Sequence, residues 1–224
     1  MQREQFAGAA KSSVSLVSPL ERRMARAVVP RIPAWLETHH LTLLTLLWCG
    51  GIVFFSRLAA ATSDLRWMWA VSLMILCQYL TDFFDGKVGK HRGTGLVKWG
   101  FYMDHLLDYV FLCAVVVGYA LVLPERALLS LLLVFAVYGA FMVNSFLTFA
   151  ATEQFEISHM KLGPTEFRAA LVVINALLVA TGPRPMKSAL PYVAACSLAA
   201  LCVLVYRTQK KLWRRDMERK ARNA

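Results

Sequence analysis

Residues 127–150 read ALLSLLLVFAVYGAFMVNSFLTFA, a run that contains no charged residue. A helix needs about 20 apolar residues to cross the roughly 30 Å hydrocarbon core of a bilayer, so this stretch is long enough for one crossing. Comparable apolar runs recur along the chain between short charged stretches, and 58% of the 224 residues are hydrophobic. This pattern is typical of a polytopic membrane protein, because a soluble domain has shorter runs interrupted by polar faces.

The sequence predicts an all-α fold with six transmembrane helices. The predicted spans cover residues 40–59, 67–84, 97–123, 127–150, 166–181 and 187–206. The fifth span is short for a full crossing. Ahead of the first span, residues 19–36 alternate apolar side chains with arginines, which predicts an amphipathic helix on the membrane surface. The predicted domains are therefore a cytoplasmic N-terminus with this helix (1–36), the six-helix domain (37–206) and a basic tail (207–224).

The formal net charge is +11, and the basic residues are unevenly distributed along the chain. With six spans, 20 of the 25 Lys and Arg residues fall on the side of the termini: six before the first span, four around the link between spans two and three, two around that between spans four and five, and eight in the tail. The positive-inside rule therefore predicts that both termini are cytoplasmic. A cytoplasmic tail that contacts anionic lipid accounts for these basic residues. Nucleic acid is therefore not expected as a partner.

Four of the 14 acidic residues lie in or at the ends of the second and third spans: Asp82, Asp85, Asp104 and Asp108. A carboxylate at membrane depth costs about 2.5–3.5 kcal/mol on insertion scales. A group of four at that depth therefore calls for compensating cations.

The spacing of these aspartates predicts which of them share a helix face. Members of the first pair are three residues apart and members of the second pair four apart, so each pair shares one face of a helix. Two helices packed with these faces opposed would bring together four carboxylates, which repel unless they are protonated or neutralised. Carboxylate oxygens favour Mg²⁺, Mn²⁺ or Ca²⁺ over zinc. The five cysteines lie within apolar runs and form no CxxC pair, which argues against a thiolate site.

The link between the two pairs, residues 86–95, reads GKVGKHRGTG and combines four glycines with basic side chains. Glycines allow a ligand to approach the backbone, and cations attract phosphate. A glycine-rich basic loop beside carboxylates that hold metal predicts a diphosphate site. Taken alone, the same loop also fits an ordinary positive cytoplasmic turn.

The stretch from Asp82 to Asp108 resembles the signature of the CDP-alcohol phosphotransferase (CDP-alcohol phosphatidyltransferase) family, D-x2-D-G-x2-A-R-x8-G-x3-D-x3-D. This chain has Asp82-x2-Asp85-Gly86-x2-Gly89-Lys90-x9-Gly100-x3-Asp104-x3-Asp108. It departs from the pattern at Gly89-Lys90, where the family has Ala-Arg, and by one additional residue before Gly100. Lys90 keeps the charge without the bidentate fork of arginine, and Arg92 is the candidate replacement.

The resemblance implies two divalent ions, commonly Mg²⁺ or Mn²⁺, bound by the four aspartates. It implies that Asp108 acts as the general base and that Gly86 and Gly100 leave room for the nucleotide. Lys90 and Arg92 are then expected at the CDP diphosphate. Family members often form homodimers through their membrane helices, so a homodimer is expected by resemblance.

Two further segments carry candidate residues. Lys161 lies in the link before the fifth span and Arg168 at the start of that span, and both are candidates for the acceptor pocket on the cytoplasmic face. The same segment also fits a plain helix start, because Pro164 and Glu166 favour the first turn. Residues 40–42 resemble the family's short N-terminal motif.

These residues predict a membrane enzyme of phospholipid biosynthesis. It would transfer a substituted phosphate from a CDP-alcohol to an acceptor hydroxyl and release CMP. The donor is either CDP-diacylglycerol, with a small polar alcohol as acceptor, or CDP-choline or CDP-ethanolamine, with diacylglycerol as acceptor.

Two alternatives belong to other classes of protein. A divalent-cation transporter would place carboxylates near the membrane midplane, whereas these aspartates lie near one interface beside basic residues. A non-catalytic assembly subunit would tolerate alanine at the aspartates.

Overall fold

The computed structural model describes residues 18–93, 96–152 and 164–223, and within these ranges the fold is all-α without strands. The helices are α1 (Ser18–Val28), α2 (Thr38–Thr62), α3 (Met68–Arg92), α4 (Val97–Val122), α5 (Leu128–Thr152), α6 (Pro164–Thr181) and α7 (Pro183–Asn223). Three short 3₁₀ turns at Val29–Arg31, Leu65–Trp67 and Glu125–Ala127 precede α2, α3 and α5. The predicted fold class is confirmed.

Among the described residues, five helices are long and apolar enough to cross a bilayer: α2, α3, α4, α5 and α7. Their outer faces carry large apolar side chains such as Leu129, Leu147 and Tyr192, which are 69%, 65% and 73% exposed. Apolar surface on this scale is suited to lipid and not to water. The chain is therefore an integral membrane protein. Helix α6 has 18 residues and coincides with the predicted fifth span, whose crossing stays a prediction.

Helix ends are set by local chemistry. Glu37 and His40 form a capping box at the start of α2, in which the Glu37 backbone N–H donates to His40 Nδ1 at 3.2 Å. Gly93, with φ of 62°, ends α3, and Gly182, with φ of 77°, separates α6 from α7. Both glycines adopt the left-handed conformation that favours glycine at a helix C-terminus.

Small residues bring α2 close to its two neighbours in the core. A Cβ added to Gly118 of α4 would lie 2.7 Å from Ser56 Oγ of α2, and one added to Gly51 of α2 would lie 2.6 Å from Met74 Sδ of α3. Such contacts at glycine are typical of membrane helix interfaces, because they allow helices to approach closely. The fully buried Ile52 and Ile75 fill the core between these contacts.

The prediction of a loop directly after residue 85 is wrong for most of its length, since α3 continues as a helix to Arg92. Glycine in a helix costs about 1 kcal/mol relative to alanine, which is why Gly86 and Gly89 suggested a loop. Tertiary contacts offset that cost. Val88 is 0% exposed and packs in a small apolar cluster with Val29 and Leu41.

The two predicted flanking segments are helical where the structure describes them. Helix α1 begins one residue before the predicted amphipathic segment, at Ser18, and ends at Val28, before Pro30. The basic tail from residue 207 is continuous with the last span, because α7 runs without a break to Asn223.

Candidate active site

Four helices bring polar side chains together at one end of the bundle. Because a short turn joins α2 to α3, the first turns of α2 lie beside the last turns of α3, where Thr42 bonds Asp85. Helix α4 returns from that end and brings Asp104 to the same place. Helix α6 begins there too, and Arg168 in its second turn bonds Asp82.

Three of the four predicted aspartates form a cluster. Asp82, Asp85 and Asp104 each offer a carboxylate oxygen, and these oxygens all lie within 4.8 Å of one another. Three carboxylates at this separation repel one another unless a cation or a proton intervenes. The donor set consists of hard oxygens, so it fits Mg²⁺, Mn²⁺ or Ca²⁺. The spacing argument therefore placed these three residues correctly relative to one another.

Asp85 is the innermost member of the cluster and is only 8% exposed. Thr42 Oγ1 of α2 donates a hydrogen bond to Asp85 Oδ2 at 2.9 Å, and the backbone N–H of Gly86 donates to Asp85 Oδ1. These two donors orient the carboxylate toward the other two aspartates. Hydrogen bonds of this kind, from residues around the ligands, fix the geometry of a metal site.

The other side of the cluster is open. The side chains of Asp82 and Asp104 are both 22% exposed, and the side chain of Asp108 is 38% exposed. A ligand could therefore reach the carboxylates from outside while Asp85 anchors them from within.

Asp108 lies outside the group of three, beside Arg168. Arg168 Nη2 donates to Asp82 Oδ2 at 3.0 Å and to Asp108 Oδ1 at 3.3 Å. The arginine side chain is only 5% exposed, and its guanidinium carbon lies 5.4 Å from the centroid of the Phe111 ring. Arg168 was predicted as part of an acceptor pocket, which stays a prediction, and in the structure it bridges these two carboxylates.

Gln78 is a residue of the described site that the sequence did not indicate. It is 1% exposed, and its Oε1 accepts a hydrogen bond from Arg168 Nε at 2.6 Å. The available signal was its position four residues before Asp82, which places both on one face of α3. A buried amide beside a pair of carboxylates indicates that one residue forms hydrogen bonds with both, but the sequence does not identify that residue.

Gly86 and Gly100 border open space. A Cβ added at either position would meet no atom within 4 Å apart from the local backbone. Both lie in helices, where glycine costs about 1 kcal/mol relative to alanine. Packing within the described protein does not require them, so the space beside them is available to a ligand.

The predicted basic residues have different surroundings. Lys90 is exposed on the last turns of α3. The Arg92 guanidinium donates to the carbonyl oxygens of Ile32, Pro33, Ala34 and Leu36 at 2.9, 2.9, 3.3 and 2.9 Å. It thus joins the end of α3 to the segment before α2, a partner that the sequence did not suggest. Lys161 lies outside the described residues.

The family model for CDP-alcohol phosphatidyltransferase matches residues 38–206, which are 169 of the 224 residues. The chain therefore belongs to the CDP-alcohol phosphatidyltransferase family, and the resemblance of its aspartate motif is confirmed. Searches of curated proteins and of solved structures found no match. The match contains all four aspartates and Arg168, so the site just described lies in the family's domain. The family and the membrane helices together define a membrane phosphotransferase.

Proposed function

We propose that this protein transfers a substituted phosphate from a CDP-alcohol to an acceptor hydroxyl, with release of CMP, in phospholipid biosynthesis. The main support is the cluster of Asp82, Asp85 and Asp104, with Asp108 one helical turn further along α4, inside the family match. No nucleophilic side chain is required for a direct transfer between the two substrates.

The three clustered aspartates are the proposed ligands of a divalent cation, and Asp108 is proposed to contribute to a second. A cation held there would neutralise the diphosphate and stabilise CMP as a leaving group. The open space beside Gly86 and Gly100 is the proposed place of the nucleotide.

Asp108 is the proposed general base. Its carboxylate would take the proton of the acceptor hydroxyl as the acceptor oxygen attacks the phosphorus of the substituted phosphate. The bond from that phosphorus to the bridging oxygen breaks, and CMP leaves with the electron pair. Arg168, at 3.3 Å from Asp108 Oδ1, would hold the base in position without reacting itself.

The remaining assignments are proposals of the same kind. Exposed Lys90 is the proposed contact to the diphosphate, because Arg92 would first have to leave its four carbonyl oxygens. Lys161 is a proposed acceptor contact on sequence grounds. The distribution of basic residues supports a site and termini on the cytoplasmic side, and the family resemblance supports a homodimer. The lipid is either the donor, as CDP-diacylglycerol, or the acceptor, as diacylglycerol.

The test is CMP release by purified protein in nanodiscs, supplied with Mg²⁺ or Mn²⁺ and a panel of CDP-alcohol and acceptor pairs. Asp108→Ala is the variant, and Asp64→Asn is the matched control, since Asp64 lies in the turn between α2 and α3 and pairs with exposed Arg66. We expect metal-dependent release for one donor–acceptor pair, its loss in Asp108→Ala and its retention in Asp64→Asn. No release with any pair, together with metal flux in proteoliposomes, would favour the transporter instead.

A further inference from the structure

A groove with a volume of about 400 Å³ separates the C-terminal part of α5 from the second half of α7. Its walls include Thr148 and Thr152 of α5 and Ala200, Val203, Arg207 and Lys211 of α7. The volume lies within the roughly 300–1,000 Å³ that is usual for small-molecule sites. None of these residues belongs to the proposed transfer reaction.

The groove spans two environments of the bilayer. The apolar part of α7 ends at Tyr206, and the next residue that lines the groove is Arg207. Ala200 and Val203 therefore lie at the depth of hydrocarbon. Lys211 lies one turn beyond Arg207, about 6 Å further along the helix, at the level of the lipid head groups. Both basic side chains lie on the same face of α7, because they are four residues apart.

The wall of the groove is apolar below these two cations. Thr148 Oγ1 donates to the backbone oxygen of Asn144 at 2.7 Å, and Thr152 Oγ1 donates to that of Thr148 at 2.7 Å. Both hydroxyls thus bond backbone oxygens of the preceding turn of α5, which reduces their polarity toward the groove. On the opposite wall, the alanine of α7 has a small side chain. This leaves a trough between the two helices that an extended hydrocarbon chain could fill.

We propose that this groove binds an anionic phospholipid of the surrounding bilayer. One acyl chain lies along the alanine and threonine walls, and the phosphate group lies between Arg207 and Lys211. The charge of the head group complements the two cations, and the apolar wall complements the chain. Each Lys or Arg at a membrane surface contributes about 1 kcal/mol toward anionic lipid, or roughly a fivefold change in affinity.

The position of the groove connects it to the site end of the bundle. On the neighbouring face of α5, the Phe149 ring lies 5.0 Å from Phe101 and the Phe146 ring 5.5 Å from His105 of α4. His105 is adjacent to Asp104 in the chain. A lipid in the groove would therefore support the helix that packs against the aspartate-bearing turns of α4. The proposal does not depend on the transfer reaction, because this lipid is a bound ligand and not a substrate.

The test is native mass spectrometry of the full-length protein titrated with dioleoylphosphatidylglycerol and, separately, with dioleoylphosphatidylcholine. We expect one phosphatidylglycerol to bind at least about tenfold more tightly than phosphatidylcholine. In Arg207→Gln/Lys211→Gln, affinity for phosphatidylglycerol falls about 30-fold, from the loss of two cations at roughly fivefold each. In Ala200→Phe, which fills the trough without changing charge, retention of either lipid is lost.

The matched control is Lys210→Gln/Lys220→Gln, which removes the same charge from α7 at positions that do not line the groove. Its affinity for phosphatidylglycerol stays within about twofold of the wild type on our proposal. An equal loss in this control would assign lipid binding to the tail as a whole and overturn the groove. Equal affinity for both lipids, or a groove occupied by a second copy or by another part of this chain with no lipid retained, would overturn it too. Thermal unfolding of each variant in phosphatidylcholine nanodiscs separates loss of binding from loss of fold.

Discussion

Two groups of polar side chains lie between the helices, and they are held in different ways. At one end of the bundle, Asp82, Asp85 and Asp104 place like charges within 4.8 Å of one another. Deeper between α3, α4 and α6, Tyr119 donates to Asn175 Oδ1 at 2.8 Å, and Asn175 Nδ2 donates to Ser72 Oγ at 3.0 Å. We call these the carboxylate group and the Asn175 group.

The difference lies in what each group needs. The Asn175 group is neutral, and its chain of donors ends within the protein, because Ser72 Oγ donates to the backbone oxygen of Met68 at 3.1 Å. Asn175 is 0% exposed, so its bonds serve to fix three helices against one another. The carboxylate group consists of like-charged side chains and is partly open, and like charges at this separation repel unless a cation or a proton intervenes. The Asn175 group thus joins helices through neutral hydrogen bonds, whereas the carboxylate group gathers like charges that our proposed function assigns to a cation.

Arg168 lies between the two groups on α6, and its removal should have the largest effect. Breaking a buried ion pair by deleting one partner costs about 3–5 kcal/mol. Arg168→Met should therefore lower both the unfolding temperature in detergent and CMP release by the folded fraction. Arg168→Lys is the control that keeps the charge without the fork that bonds Gln78, Asp82 and Asp108. Unchanged stability in Arg168→Met would show that the bridge seen in the structure does not hold these helices.

Asp85→Asn should lower activity and the response to metal without destabilising the fold. The amide keeps an acceptor for Thr42 but removes one of the three clustered charges, so we expect CMP release to fall about 10²–10³-fold. In the absence of divalent ions, the unfolding temperature should stay the same or rise, because repulsion within the cluster is lower. Addition of Mg²⁺ or Mn²⁺ should then raise the unfolding temperature of the wild type more than that of the variant. A large fall in stability without metal would contradict this interpretation.

Asn175→Ala should show the opposite pattern with the smallest effect. It removes two hydrogen bonds between helices, which contribute about 0.6 kcal/mol each on average in membrane proteins, so stability should fall by about 1–2 kcal/mol. CMP release by the folded protein should change less than about threefold, and Tyr119→Phe, which removes one bond, should cost about half as much stability. A tenfold loss of release in a folded Asn175→Ala sample would connect this group to the chemistry.

The parts of the site that follow from local spacing were predicted from the sequence. Residues three or four apart share a helix face, which was sufficient to bring Asp82, Asp85 and Asp104 together. Asp108 was predicted to join them, and in the structure it lies one turn further along α4, where it shares Arg168 with Asp82. The Arg168 contacts join residues 60 to 90 positions apart. Spacing within a helix does not carry that information.

Local propensity was misleading at the end of α3. Two glycines within four residues indicated a loop, whereas the buried Val88 and the bonds of Arg92 keep the helix intact to residue 92. The contacts of Arg92 are long-range as well, so its charge alone did not indicate them. Its position in a basic stretch indicated a phosphate partner, and its partners in the fold are carbonyl oxygens.

The bonds of Arg92 also bear on the order in which the chain acquires its structure during synthesis. The carbonyl oxygens that it binds belong to residues 56 to 60 positions earlier in the chain. At the usual elongation rate of about 5–20 residues per second, the segment that joins α1 to α2 is made roughly 3–12 s before its partner. Until Arg92 has been made, these bonds cannot form, so the segment between α1 and α2 cannot be fixed against α3 before α3 is complete. Helix α1 is thus synthesised before the other described helices, but the segment that joins it to α2 is fixed only after α3 is complete.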